Sequence, residues 1–202
     1  MLPPILFVIT NTSAQVGLEQ YFYVNEKEMI DVVPICSYRT RTKGYVEARY
    51  NYEDVNSFSL YVGKVIEGGD KITYAIVPML GVVVGKFKGG SAGANVDIEL
   101  GKLFFNTQSQ YTFSVIDRSS NYIFSWSEMG YQPLTWFYFG VTTQVTYQSN
   151  YLLTEPGIVL GFTKGKWTFP LYSYNSLSDN RYFVLGITFK ASAFQKKNKT
   201  ER

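Results

Sequence analysis

The chain has 202 residues, enough for one domain, and its mean hydropathy of −0.08 goes with no run of the roughly 18–20 apolar residues that a membrane helix needs. Nineteen Lys and Arg against 16 Asp and Glu leave a net charge of +3, too small an excess to point to nucleic acid as a partner. There is no histidine and a single cysteine, which excludes Ser-His-Asp and Cys-His catalysis, His-ligated zinc and an intrachain disulfide.

Residues 1–14 carry a short apolar stretch, Ile5 to Ile9, followed by Thr12-Ser13-Ala14. This resembles the end of a secretory signal cleaved after Ala14, although the basic start of such a segment is missing. Residues 15–27 are expected to be an N-terminal lead-in; because such barrels have an even number of strands, either Gln20 to Val24 contributes a twelfth or one of the eleven runs that follow is part of a bent strand, giving ten. From 28 to 194 the chain shows period-two runs separated by short turn signals, the pattern of β-strands rather than helices. The runs cover 29–40, 43–52, 56–66, 71–85, 91–105, 109–117, 121–130, 134–147, 155–164, 166–174 and 181–193. Between them lie Lys43-Gly44, Gly68-Gly69-Asp70, Gly89-Gly90, Ser119-Ser120-Asn121, Gly165 and the polar stretch 176–180. Residues 195–202 form a polar, basic tail. Pro78 and Pro170 cannot donate to a ladder, so a bulge or strand end is expected at each.

Connections this short require neighbouring antiparallel strands. Several runs exceed the usual strand of about 5–6 residues and match the tilted transmembrane strand of about 9–11. The faces are sorted. Phe137, Phe139 and Val141 oppose Gly140, Thr142 and Gln144; Ala94, Val96 and Ile98 oppose Asn95, Asp97 and Glu99; Phe183, Leu185, Ile187 and Phe189 oppose Gly186 and Thr188. Aromatics make up 17% of the chain and gather near run ends, at Tyr21 to Tyr23, Tyr131, Trp136, Tyr151, Trp167, Tyr172 and Tyr174, where belts at two membrane interfaces are expected. The fold class is therefore all-β: an antiparallel up-and-down meander closed into a transmembrane β-barrel of about 10–12 strands. The alternative is a soluble exported barrel of lipocalin type, with the same apolar face turned inward around an apolar small molecule.

The meander, the exported start and a last strand dense in aromatics (Tyr182, Phe183, Phe189, Phe194) resemble small outer-membrane β-barrel proteins of the Gram-negative type. The segment Trp126 to Tyr131 followed by Pro133 is similar to an uncharacterised subgroup of them. The resemblance implies an outer-membrane location, membrane lipid as the surrounding partner, and insertion by the outer-membrane barrel assembly machinery, which reads an aromatic-ended final strand. In this chain eight residues follow Phe194.

The candidate site is the polar face. If it lines the lumen, Glu47, Arg49, Asp97, Glu99, Glu128 and Gln144 form an interior network. Such a network either satisfies itself, as buried charges must, or lines a narrow hydrophilic pore. Asp97 and Glu99 also suit a hard cation. Phe137, Phe139, Val141, Phe183, Leu185, Ile187 and Phe189 are the candidate lipid-facing set. No cofactor motif is present: Gly89-Gly90-Ser91-Ala92-Gly93 lacks the Lys-Ser/Thr and helix of a phosphate loop. No enzyme activity and no nucleic-acid binding are expected.

Overall fold

The computed structural model describes residues 14–25 and 31–192. Thirteen strand segments run in chain order: β1 (Gln15–Asn25), β2 (Asp31–Arg39), β3 (Gly44–Tyr50), β4 (Ser57–Lys64), β5 (Ile66–Gly68), β6 (Ile72–Gly85), β7 (Gly89–Leu100), β8 (Leu103–Ser114), β9 (Tyr122–Leu134), β10 (Phe137–Gln148), β11 (Tyr151–Lys164), β12 (Trp167–Tyr174) and β13 (Tyr182–Ser192). Apart from β4 and β5, which both pair with β6, each pairs antiparallel with its chain neighbours, and β1 pairs with β13 from Gln15↔Ser192 to Asn25↔Tyr182. β4 also pairs with β6, so the sheet closes on itself.

β4 and β5 lie on β6 in one register, Gly63↔Met79 and then Ile66↔Ile76. They are one wall strand with a gap, and the barrel has twelve walls. Pro78 falls opposite the gap and has no N–H to fill it. The β12–β13 ladder likewise skips Pro170 but keeps its register, Thr168↔Thr188 and then Leu171↔Leu185. Neither proline makes the bulge or strand end expected from sequence. The register shift lies between β9 and β10, beside Pro133, where Tyr131↔Phe139 gives way to Leu134↔Phe137.

Three boundaries differ from the sequence reading. Residues 15–25 are a full barrel strand, not a lead-in. The adjacent polar pair Glu19 and Gln20 hides its alternation: Gln20 lies on the outer face, where its amide donates to the Tyr21 carbonyl at 3.1 Å. The run 91–105 is two strands, because a two-residue turn at Gly101-Lys102, with Gly101 at φ 61°, separates Leu100 from Leu103. The run 155–164 begins earlier, at Tyr151, after a Ser149-Asn150 turn in which both residues have positive φ. The proposed signal segment, apart from Ala14, and the basic tail lie outside the described residues.

The apolar face points outward, so the lipocalin-type arrangement is not adopted. Leu80, Val82, Met129, Val141, Ile158 and Leu185 are exposed around the middle of the wall. Phe137, Ile187 and Phe189 share this outer face at intermediate exposure, and Phe139 and Phe183 are exposed on it. Two aromatic girdles flank the apolar zone. One, at the short-turn end, holds Tyr131, Trp136, Phe139, Phe162 and Trp167; the other holds Tyr50, Phe58, Tyr111, Phe113, Tyr147 and Phe183. Among the aromatics assigned to belts from sequence, Tyr21, Tyr172 and Tyr174 are instead buried in the lumen, with Tyr23 packed against them.

The outer face carries a cluster of hydroxyls on β8 and β9. Thr107, Ser109, Ser125 and Ser127 point outward from β8 and β9 and bond to one another, with Thr107–Ser127 at 2.9 Å and Ser109–Ser125 at 2.8 Å. Mutual pairing removes most of the penalty of placing hydroxyls against hydrocarbon. Outside the wall, the β8–β9 loop carries a 3₁₀ turn (Arg118–Ser120) capped by Asp117. Hydrogen bonds from the Ser119 hydroxyl and backbone N–H hold the Asp117 carboxyl below its usual range.

Arginine in place of Val141, which pairs with Met129 and Ile158 in mid-wall, is expected to destabilise the barrel in lipid vesicles by about 2–4 kcal/mol, against about 0–1 for Phe139→Arg in the girdle. Denaturant unfolding in vesicles measures both. Equal losses would contradict the depth assignment. A second expectation concerns the inner face. A Cβ on Gly161 would stand 1.9 Å from the Tyr138 ring, so Gly161→Leu should cost about 1–3 kcal/mol or more through overpacking in the same assay.

Candidate functional site

The inner face builds two layers. Near the short-turn end the lumen is an open polar vestibule of about 610 Å³. Its wall includes Glu19, Glu47, Asp97, Glu99, Glu128 and Lys190. Further along the axis, side chains fill the lumen and bridge opposite walls.

The first bridge is centred on Arg49 of β3, a residue only 1% exposed. Its Nε donates to Glu47 Oε1 at 2.6 Å, and its Nη1 donates to Gln110 Oε1 at 2.7 Å across the lumen on β8. Nη1 also lies 3.4 Å from Glu53 Oε1. The guanidinium is sandwiched between the rings of Tyr52 and Tyr61, 4.3 and 4.4 Å from their centroids. Each partner is held in turn. Tyr45 donates to Glu47, Tyr61 donates to Glu53 at 2.7 Å, and Tyr52 donates to Gln108 at 2.8 Å. The arginine is placed by strand alternation alone: Tyr45, Glu47 and Arg49 are i, i+2 and i+4 on β3 and share the inner face. Room for Tyr61 comes from Gly81 on β6, where a Cβ would sit 2.5 Å from the ring.

The second bridge is aromatic. Trp126 of β9 meets Tyr21 of β1 at 5.0 Å and Tyr172 of β12 at 5.2 Å. Tyr174 continues the column to Tyr182 at 5.0 Å, and Tyr182 reaches Tyr23 at 6.3 Å. Polar tips are satisfied within the column. Trp126 donates to Thr142 at 3.2 Å, Thr142 and Tyr174 share a bond of 2.9 Å, and Tyr172 donates to Glu128 at 3.1 Å.

The six residues singled out in the sequence all occupy the inner face but form no single cluster. Glu47 and Arg49 are paired. Glu128 meets the aromatic column, and Gln144 donates to Tyr23 at 3.4 Å. Asp97 and Glu99 line the vestibule on β7; with its amide oriented to donate, Asn106 reaches Asp97 at 3.1 Å. No group of three or more metal-ligating side chains comes together among the described residues. Sequence reading missed Glu53, Gln110, Tyr52, Tyr61 and Trp126. Glu53 lies outside a strand, and the rings resemble belt residues until the wall is closed.

Arg49→Met should destabilise the barrel by about 3–5 kcal/mol, because it strands Glu47 and Glu53 without a counter-charge. Replacing all three with apolar residues should recover most of that loss. Denaturant titration in detergent compares the two, and a single variant as stable as the parent would overturn the role given to Arg49.

No protein-family model matches the chain, and no curated protein matches it. Solved structures do. The KdgM porin superposes with a TM-score of 0.65 at 11% identity, covering 89% of this chain and 99% of that one. KdgM in complex with disordered oligogalacturonate gives 0.63. The NanC porin gives 0.55 at 11% identity, covering 89% of this chain and 100% of that one. The chain shares the transmembrane barrel fold of these small porins.

Proposed function

We propose that the chain is a non-enzymatic outer-membrane barrel that forms a narrow hydrophilic pore. The observation that carries this reading is the polar vestibule of about 610 Å³, which runs from the short-turn mouth to a constriction made of side chains. Arg49, Tyr61, Trp126 and Tyr174 form that constriction, and rotamer changes in such groups could widen it without breaking the wall. The shared fold with KdgM and NanC, which are porins, supports the reading. Membrane lipid is then the partner of the outer face, and the outer-membrane assembly machinery is its partner during biogenesis.

A second reading, a sealed structural barrel, is favoured by the same bridges. Arg49 to Gln110 and Tyr21 to Trp126 both cross the lumen and are fully packed.

Planar-bilayer recording of the purified full chain separates the two. The pore reading expects small discrete conductance steps, enlarged by Tyr174→Ala or Tyr172→Ala, which shorten the column. Bilayers that stay silent for the parent and for both variants, with insertion verified by heat-modifiable gel mobility, would establish the sealed barrel.

A further inference from the structure

We propose that the lumen selects for cations, so that the solutes it admits are small and positively charged. This rests on the pore reading above.

Outside the Arg49 cluster, the vestibule wall carries four carboxylates on its strands: Glu19, Asp97, Glu99 and Glu128. Its four cations match these in number but are differently placed. Lys102 and Lys166 sit in exposed turns at the rim, and Lys102 donates to the Pro133 carbonyl at 2.9 Å. Arg39 is held by Glu67 at 2.5 Å. Lys190 of β13 is the remaining wall cation, facing Asp97, Glu99 and Glu128. The ion pairs made by Arg39 and Lys43 with Glu67, by Arg49 with Glu47 and Glu53, and by Lys86 with Asp54 do not involve Asp97, Glu99 or Glu128.

The constriction adds an excess of carboxylate. Its one guanidinium, on Arg49, is shared by Glu47 and Glu53, so the trio carries a formal charge of −1. Two buried acceptors point the same way. Glu53 Oε2, on a side chain with no exposed area, and Asn95 Oδ1, in the vestibule wall, have no hydrogen-bond donor among the described residues. Free acceptors and excess carboxylate in a narrow, low-dielectric lumen favour a passing cation and repel an anion.

The test is the reversal potential of the full chain in planar bilayers under a KCl gradient, which gives the permeability ratio of K⁺ to Cl⁻. The expected ratio is above unity and shrinks from about 0.1 M to 1 M salt, as the screening length falls from about 10 to 3 Å. The double change Asp97→Asn with Glu99→Gln should lower the ratio at least about twofold, and Lys190→Gln should raise it. The two variants move in opposite directions, so failure of either to insert still leaves a decisive readout. Conductance that prefers Cl⁻, or a ratio unmoved by both charge changes, overturns cation selection while leaving the pore intact. No conductance in any of the proteins overturns the pore and this inference together.

Discussion

A sheet immersed in hydrocarbon cannot have an edge, because every unpaired backbone N–H and C=O there lacks the water that would satisfy it. The rest of this molecule follows from that constraint. The first and last strands are joined residue by residue from Gln15↔Ser192 to Asn25↔Tyr182, and β4 meets β6. Closure then fixes which face is inside. Strand alternation sends Phe139, Val141, Leu185 and their neighbours to lipid and delivers Glu47, Arg49, Asp97 and Glu128 to a shared interior. Even the departures obey it: Pro78 and Pro170 interrupt a ladder without shifting its register, so neither opens the wall.

The interior faces a second competition. A narrow lumen withdraws charged groups from bulk water, and an isolated buried charge is far more expensive than a paired one. Half of the barrel answers this by pairing: Arg49 is held by two carboxylates, an amide and two rings. The other half stays open, and there Asp97, Glu99 and Glu128 face the lumen while Lys102 and Lys166 stand at the rim. The same wall therefore carries a packed layer and a wet layer in series. Glycines make the packed layer feasible, since Gly81 and Gly161 leave the space that Tyr61 and Tyr138 fill.

Much of this was legible in the sequence. Period-two alternation located eleven of the walls and sorted an apolar from a polar face on several of them, because one side of each strand meets lipid and the other meets polar groups. Which face points inward rested on strand length, the small residues of the polar face and the aromatic belts. What it could not resolve was local. The strand 15–25 was masked by one polar residue, Gln20, on the lipid side. The Gly101-Lys102 hairpin offered a single glycine between apolar residues. The inner tyrosines were read as interface belts because a tyrosine near a strand end has the same signature whether it faces lipid or lumen; Tyr21, Tyr172 and Tyr174 declare themselves only when opposite walls meet. Of the interior network, the i, i+2 acids and Arg49 were visible, whereas Glu53 and Gln110 join it through closure across the lumen.

The central claim, that the apolar face meets lipid and the polar face meets water, is tested most directly with the chain's own thiol. Cys36 is exposed on the outer face of β2, beside Leu18 and Ala48, and Ser37 next to it faces the vestibule. In protein folded into lipid vesicles, a membrane-impermeant maleimide should leave Cys36 unmodified until the protein is denatured. The same reagent should label Ser37→Cys in a Cys36→Ala background while the barrel is folded. Rapid labelling of Cys36 together with protection at position 37 would show the barrel turned the other way.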